Sequence, residues 1–486
     1  MAVPAGQVLT DLAAADPDRP AITCGEHTVT RAGLESWSNR LARVYEGLGV
    51  GQGSFVTIAL PNSAEFYAAI GAAWKLGAVP QPVSHRLPDR ERRAIIDLAD
   101  SALVVGVEPG THGERACLPA GFTPDPDLSD APFDDVRVSP AFKAPTSGGS
   151  TGRPKLIVSG QTGAFEPAAA TRMFGMRENG VQLVPGPLYH NAPFTVSTYG
   201  LLIGQHLVVL PKFDPVAALE AIDRYRVEWV NLVPTMMLRL WRVLDAEPGR
   251  YDLSSLDRVW HMAAPCPAWL KEAWIGLVGP ETLYELYGGT EAQAVTVITG
   301  TEWLEHRGSV GKPRTGEMKV VDPDGHDLPP GEVGEIYMRG SVGAPPAYRY
   351  IGAEAKVRDG WESLGDLGWL DADGYVYISD RLTDMILSGG ANIYPAEVES
   401  AVMEHPDVET CVVVGLPDED LGQRVHAVVQ AKRPLAEDEL REFLSERLVR
   451  YKQPRTFRFV DEALRGDDGK VRRSALRDQE AELAKG

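Results

Sequence analysis

The run A-P-T-S-G-G-S-T-G-R-P-K-L at 144–156 constrains this chain more than any other stretch. Four hydroxyl residues (Thr146, Ser147, Ser150, Thr151) alternate with three glycines (Gly148, Gly149, Gly152), and Pro154-Lys155 closes the run. Small residues let successive backbone N–H groups turn inward around an anion, hydroxyls add donors, and a lysine adds positive charge. A solvated Ser/Gly linker shares that composition. Such a linker, however, needs neither the closing Pro-Lys nor the apolar flank Leu156-Ile157-Val158. The pattern G-x-x-x-x-G-K-[ST] cannot be aligned on the run, so it is not a Walker loop. It reads as a phosphate cradle of another kind.

The rest of the composition narrows what such a cradle serves. At 486 residues the chain is long for one core and predicts two or three domains. A net charge of −20 argues against nucleic acid or an anionic membrane as the main partner, so local donors must hold any anionic ligand. Cys24, Cys117, Cys266 and Cys411 show no paired or metal-like spacing and predict reduced thiols in the cytoplasm. Positions 1–18 carry no basic region followed by an apolar run, and no stretch approaches the roughly 18 apolar residues of a membrane helix.

Along the chain, 21–23 and 28–30 predict a small hairpin around Gly25. Apolar residues at helical spacing predict a helix over 31–48. A strand at 55–60, a helix capped by Ser63 and stopped at Gly77, extended structure at 79–83, a helix at 90–98 and a strand at 102–107 form an α/β layer with parallel strands. Ligands of such layers gather where strands end. The Pro- and Asp-rich stretch 109–140 reads as surface connection. A second α/β run follows, with strands at 182–184, 206–210, 229–233 and 258–262 and helices at 216–225 and 235–244. Short strands and turns over 311–339 suggest a β-rich subdomain. After 369 come a hairpin turning at Asp373-Gly374 and a small α+β unit: helix 395–403, strands 410–414 and 425–429, helix 437–448. No fixed-period repeat is present.

Three further constellations carry chemistry. Tyr287-Gly288-Gly289-Thr290-Glu291 combines close backbone approach, a hydroxyl donor and a hard oxygen ligand suited to Mg²⁺, although a capping turn would look similar. Asp366 stands between glycines in S-L-G-D-L-G, with Asp380-Arg381 following; such a carboxylate suits the vicinal hydroxyls of a ribose, or a turn bonding its own backbone. Gly469-Lys470 lies in a basic tract with Arg465, Arg472, Arg473 and Arg477, a kind of run that is usually a solvated face. Together, phosphate donors, a metal carboxylate, a ribose carboxylate and a late lysine add up to a nucleotide site.

With these residues in hand, the chain resembles the superfamily of AMP-forming acyl-CoA synthetases, peptide-synthetase adenylation domains and luciferases. The resemblance runs from Leu60-Pro61-Asn62-Ser63 and Trp74-Lys75-Leu76-Gly77-Ala78, through Gly331-Glu332-Val333-Gly334-Glu335, S-G-G-A-N-I-Y-P-A-E at 388–397 and Gly415-Leu416-Pro417-Asp418, to Gly469-Lys470. It implies an α/β fold. A large N-terminal domain (1–382) of layered α/β subdomains plus a β-rich subdomain would precede a small mobile α+β C-terminal domain (384–486), with a hinge near Thr383.

The resemblance also implies roles. Thr146, Ser147, Gly148, Gly149, Ser150, Thr151, Gly152 and Lys155 would hold the β- and γ-phosphates of ATP. Thr290 would contact the α-phosphate, Glu291 the Mg²⁺, Tyr287 and Ala264 the adenine, and Asp366 and Arg381 the ribose. Lys470 would bridge the acid carboxylate and the α-phosphate, neutralising the repulsion between two anions. After adenylation the C-terminal domain would rotate and bring Gly389 and Gly390 to the site for thioester formation. Arg86 and Tyr451 match positions where relatives bind coenzyme A. His190, in Y-H-N-A-P-F at 189–194, would sit beside the carboxylate and the thiol.

Two departures stand out: Thr383 replaces the family's usual Asp or Lys at the hinge, and the loop before Lys470 is a residue shorter and lacks the usual proline. No aspartate lies in 189–195 to pair with an ammonium, which favours a plain carboxylic acid. Asn191, Phe194, Tyr199, Met236, Met262, Gly288 and Gly289 would line its pocket, the small glycines serving either that space or close packing, and the adaptable methionines favour a bulky hydrophobic acid of aryl, steroid-like or terpenoid kind. The acceptor is coenzyme A, with a separate carrier protein as the alternative and a homodimer left open. A luciferase-like oxygenase and a degenerate nucleotide-binding module are the readings from other classes.

Overall fold

The computed structural model of the chain describes residues 2–148, 154–466, 471 and 473–483. It is a mixed α/β structure in which a large N-terminal part is followed by a small α+β unit, as expected from the sequence.

The first α/β layer forms around four parallel strands in the order Val79–Pro82, Phe55–Ile58, Leu103–Val105, Ala116–Leu118. Ser63 caps the helix Ala64–Lys75, its hydroxyl accepting from Phe66 N. That helix is buried along almost its whole length, which is why its sequence is apolar on every face. The strand Ala116–Leu118 corrects the reading of 109–140 as surface connection. Three residues between polar flanks are too short for periodicity to reveal; only pairing with Leu103–Val105 makes them a strand.

The second layer is organised by a 14-stranded sheet among the described residues. Its core is six parallel strands in the order Leu283–Gly288, Arg258–Met262, Trp229–Leu232, Val181–Val184, His206–Val209, Pro20–Cys24. The last of these belongs to the N-terminal hairpin, which joins this sheet and not the α/β layer next to it in sequence. The expected β-rich subdomain is likewise no separate sheet. Antiparallel strands Val295–Thr299, Ser309–Thr315, Val376–Arg381, Trp361–Leu370, Gly334–Arg339 and Glu317–Val321 continue outward from Leu283–Gly288.

The C-terminal unit packs the helices Pro395–Met403 and Glu437–Ser445 on a five-stranded sheet. Its central hairpin, Val408–Asp418 with Gly422–Ala431, is longer than the sequence pattern suggested because backbone pairing continues past the apolar centre into polar residues. Among the described residues no helix is long and apolar enough to cross a membrane.

Candidate active site

The two described ends of the 144–156 run pair as antiparallel strands. Thr146–Gly148 pairs with Pro154–Ser159, Ser147 opposite Lys155, and Tyr348–Ile351 adds a third strand on the far edge. Leu156 and Val158 anchor the hairpin against Ile95 and Ile96 of the first layer. Gly149, Ser150, Thr151 and Gly152, the expected tip of the cradle, lie outside the described residues. At its root, Thr146 Oγ1 is buried and has no hydrogen-bond partner among the described residues. A buried hydroxyl left unpaired is costly and fits a ligand oxygen.

Lys155 leaves this hairpin toward Glu291. Its Nζ lies 3.4 Å from Glu291 Oε1 and 3.9 Å from the centre of the Tyr350 ring. Tyr350 Oη donates to the same carboxylate oxygen at 2.5 Å. Burial, then the Glu291 carboxylate, push the Tyr350 phenol above its ordinary range, so it stays a donor. Tyr350 was missed by sequence reasoning; its only signal was the alternation Y-R-Y-I, which marks a strand and nothing more.

Glu291 stands in the turn that follows Leu283–Gly288, beside half-buried Thr290, and Ala292 takes the left-handed conformation (φ 54°) to reverse the chain. Glu291 as a whole is 6% exposed. One hard, fixed carboxylate is what Mg²⁺ takes when ligand phosphates supply the other oxygens, so the residue fits that ion. Gly289 does not open a pocket: a Cβ there would lie 2.4 Å from Leu364 Cδ1 and 2.8 Å from Glu291 Oε2. Of the two readings of this glycine, close packing is the one its neighbours fit.

A second cluster stands beside it. Tyr287 Oη donates to Asp366 Oδ2 at 2.8 Å, and Arg381 Nε lies 3.1 Å from Asp366 Oδ1, the two residues being directly paired across neighbouring strands. Burial and the Asp366 carboxylate raise the Tyr287 phenol well above its usual value. Next to Tyr287 the strand Arg258–Met262 ends at Ala263 (φ 75°) and Ala264. Both strands end here at their carboxyl ends, where open parallel sheets place ligands. Beneath them His261, Glu285 and Lys271 form a buried group: Lys271 Nζ contacts Glu285 Oε2, and His261 Nδ1 lies 3.9 Å from Glu285 Oε1.

The 189–194 segment leaves the carboxyl end of Val181–Val184. Asn62 clamps the intervening loop, donating to Gly186 O (2.9 Å) and Leu210 O (3.0 Å) and accepting from Leu188 N (2.8 Å). His190 is the N-cap residue of the helix Asn191–Leu202. Several expected pocket residues prove to be core. Phe194 is fully buried against Phe66, and Tyr199 packs among Phe142, Phe165 and Phe174 with its hydroxyl on Gln161. Met262 shares that core, whereas Met236 belongs to the cluster on the other side of the sheet. Gly288 is exposed.

Of the residues expected to meet coenzyme A, Arg86 and Tyr451 are exposed, as are Gly389 and Gly390 in the turn between Ile386–Ser388 and Ala391–Ile393. Lys470 lies outside the described residues. Two of its basic neighbours, Arg473 and Arg465, are no solvated face, because burial in the C-terminal unit forces pairing: Arg473 meets Glu399 (2.6 Å) and Asp384 (3.1 Å), and Arg465 meets Glu399 (2.7 Å). Asp380 Oδ2 accepts from Ala396 N at 2.8 Å, tying the end of the large sheet to the first turn of Pro395–Met403 across Thr383.

The clusters lie at the carboxyl ends of a parallel sheet, the place where layered α/β enzymes that bind nucleotides hold their ligands. Residues 9–346 match the model of the AMP-binding enzyme family, and 397–470 match that of the AMP-binding enzyme C-terminal domain. The 2-succinylbenzoate–CoA ligase of Bacillus licheniformis is 30% identical, over 95% of this chain and 97% of its own length. Feruloyl-CoA synthase of Amycolatopsis sp. is 34% identical over 94% and 96%, and the fatty acid–[acyl-carrier-protein] ligase ScoC of Streptomyces coeruleorubidus is 31% identical over 96% and 94%. The o-succinylbenzoate CoA synthetase of Bacillus subtilis, solved with its acyl-adenylate intermediate, superposes with a TM-score of 0.82 at 27% identity, covering 98% and 99% of the two chains. The same enzyme solved with ATP and magnesium ion gives a TM-score of 0.80 at 28% identity, over 97% and 99%. The chain belongs to the AMP-binding enzyme family; it is an ATP-dependent, adenylate-forming ligase.

Proposed function

We propose that the enzyme activates a carboxylic acid as its acyl-AMP and transfers the acyl group to coenzyme A. The observation that carries this reading is that the Lys155–Glu291–Tyr350 and Tyr287–Asp366–Arg381 clusters share the end of the strand Leu283–Gly288, Lys155 lying on the hairpin whose Thr146 hydroxyl has no partner among the described residues. Thr146 and the hairpin tip hold the β- and γ-phosphates, with Lys155 offsetting their charge. Tyr287 and Ala264 hold the adenine, Asp366 and Arg381 the ribose, and Thr290 the α-phosphate. Mg²⁺, held by Glu291 together with the phosphates, supplies charge neutralisation as pyrophosphate departs.

An oxygen of the acid attacks the α-phosphorus, and the bond to the bridging oxygen of pyrophosphate breaks. Lys470 holds the attacking carboxylate against the α-phosphate. In the second step the sulfur of coenzyme A attacks the acyl carbon and AMP leaves. We place the domain boundary at Thr383, so that 384–486 turns between steps, presenting Lys470 in the first and Gly389-Gly390 in the second. His190 stands at the acyl carbon, and Arg86 and Tyr451 contact coenzyme A. The acid is bulky and aryl: two of the three relatives above are named for aromatic acids, 2-succinylbenzoate and feruloyl, the third being a fatty acid ligase, and the 189–194 segment carries no aspartate for an ammonium. The four unpaired cysteines suit the cytoplasm.

A panel of aryl and alkyl acids, assayed for pyrophosphate release with and without coenzyme A, tests the reading. Thioester should form with coenzyme A, and adenylate that accumulates without thioester would refute the second step. Transfer to a carrier protein, the activity in the name of the Streptomyces coeruleorubidus relative, is assayed alongside. Lys470→Ala should abolish adenylation and largely spare thioester formation from supplied acyl-AMP. Equal loss of both would remove the lysine from its assigned role.

A further inference from the structure

Three lysines are buried among the described residues, and two of them have carboxylates. Lys75 meets Glu35 at 2.8 Å and two further oxygens, and Lys271 meets Glu285. Lys143, 9% exposed, has none within ion-pair distance among the described residues; its Nζ contacts a single hydroxyl, Thr195 Oγ1. With no anion to offset desolvation, burial pushes its ammonium down to about 7. A buried amine with one neutral partner is expensive, and a methionine of similar length would cost less.

Its position gives that cost a use. Lys143 stands three residues before Thr146, and its carbonyl accepts from Ser159 N at 3.0 Å, so it is part of the root of the phosphate hairpin. Thr195 lies one turn inside the helix Asn191–Leu202. The single proton of its hydroxyl is committed to Asn191 O at 2.6 Å, so Lys143 must be the donor to Thr195. The chain Lys143 → Thr195 → Asn191 therefore ends on the first residue of that helix, next to His190. His190 has extended dihedrals (φ −88°, ψ 147°) and makes no side-chain capping bond to the helix. Its own carbonyl accepts from Phe194 N at 3.1 Å, closing the same turn. One side chain thus links the root of the phosphate hairpin to the turn that presents His190 and Asn191.

We propose that Lys143 is a positioning residue of acid activation: acting through Thr195, it sets His190 and Asn191 at a fixed distance from the phosphate hairpin, so that the acid meets the α-phosphate in attacking geometry. The inference rests on the reading of 189–194 as the acid-binding segment. Misplacement of a reacting group by about 1 Å costs on the order of 100-fold in rate. Loss of this donor should therefore act on the acid and on turnover while sparing ATP binding.

The test is acid-dependent pyrophosphate release by the full chain, with KM for the acid, KM for ATP and kcat measured separately. Lys143→Met and Thr195→Val should each lower kcat/KM for the acid by about 10-fold or more, with the ATP KM unchanged. The double variant should fall no further than either single one, because both cut the same chain. Thr195→Ser, which keeps the hydroxyl, should retain activity. Additive losses, or equal changes in the two KM values, would overturn the proposal. His190→Ala separates it from the reading beneath it. A raised acid KM in His190→Ala with unchanged kinetics in Lys143→Met would defeat the proposal alone, whereas no effect of either substitution on the acid would defeat both.

Discussion

Tyr350 and Glu291 share a hydrogen bond of 2.5 Å although one lies on a three-stranded sheet and the other beyond a strand of the large one. Tyr350 lies on the strand added to the edge of the phosphate hairpin, and Glu291 in the turn beyond the last parallel strand of the large sheet. The bond orients the carboxylate while the Tyr350 ring carries Lys155, so one phenol aligns both the metal candidate and the phosphate candidate.

Tyr350→Phe removes the donor and keeps the ring under Lys155. Groups that orient a metal ligand typically contribute 10–100-fold in affinity. The Mg²⁺ concentration giving half-maximal pyrophosphate release should rise by about 10-fold or more, with little change in the acid KM. An unchanged Mg²⁺ dependence would show that the bond is only structural.

Gly289→Ala places a methyl group against Leu364 and Glu291. Leu364 can rotate, but Glu291 is held by Tyr350 and Lys155 and has less freedom. The variant should fold and require about 10-fold more Mg²⁺. If Gly289 instead faced the acid, acid selectivity would change and the Mg²⁺ dependence would not; the same titration, run on two acids, distinguishes these.

The buried His261–Glu285–Lys271 group predicts acid sensitivity. Burial holds His261 down to about 4, against an ordinary value of 6.5, the Glu285 charge opposing this only in part. The unfolded chain therefore takes up a proton below 6.5 that the folded chain refuses until about 4. Stability is full above 6.5 and falls by about 3 kcal/mol as pH drops through that window. His261→Leu should flatten that segment of the pH–stability curve in urea unfolding. Burial alone would raise Glu285, but Lys271 and then His261 hold it low. Lys271→Met should accordingly cost about 3–5 kcal/mol by stranding the carboxylate.

Lys143 has the same sign at higher pH. Its folded value of about 7 lies below the 10.5 of an ordinary lysine, so between these the unfolded chain binds the proton and the folded chain does not. Wild-type stability should rise by about 3 kcal/mol from pH 7 to pH 9.5 relative to Lys143→Met, read as the difference between their urea curves.

Much of the candidate site's local geometry was legible in the chain because its residues are packed into short runs. The pairing of Thr146–Gly148 with 154–156, the turn at 287–291 and Asp366 facing Arg381 are local, set by alternation and neighbouring strands, forces that act over a few residues. The helix capped by Ser63 and the helix Pro395–Met403 were readable for the same reason. What the tertiary structure alone decided depends on which strands become neighbours. Sheet order placed the N-terminal hairpin beside His206–Val209 and merged the β-rich stretch into the large sheet. It brought Tyr350 to Glu291 and Asn62 to the loop before His190, filled the space beside Gly289 with Leu364, and left Lys143 with a hydroxyl where other buried lysines have a carboxylate. Side-chain periodicity tells which face of an element is buried and is silent on what covers it, because that partner comes from a part of the chain whose distance in sequence carries no signal.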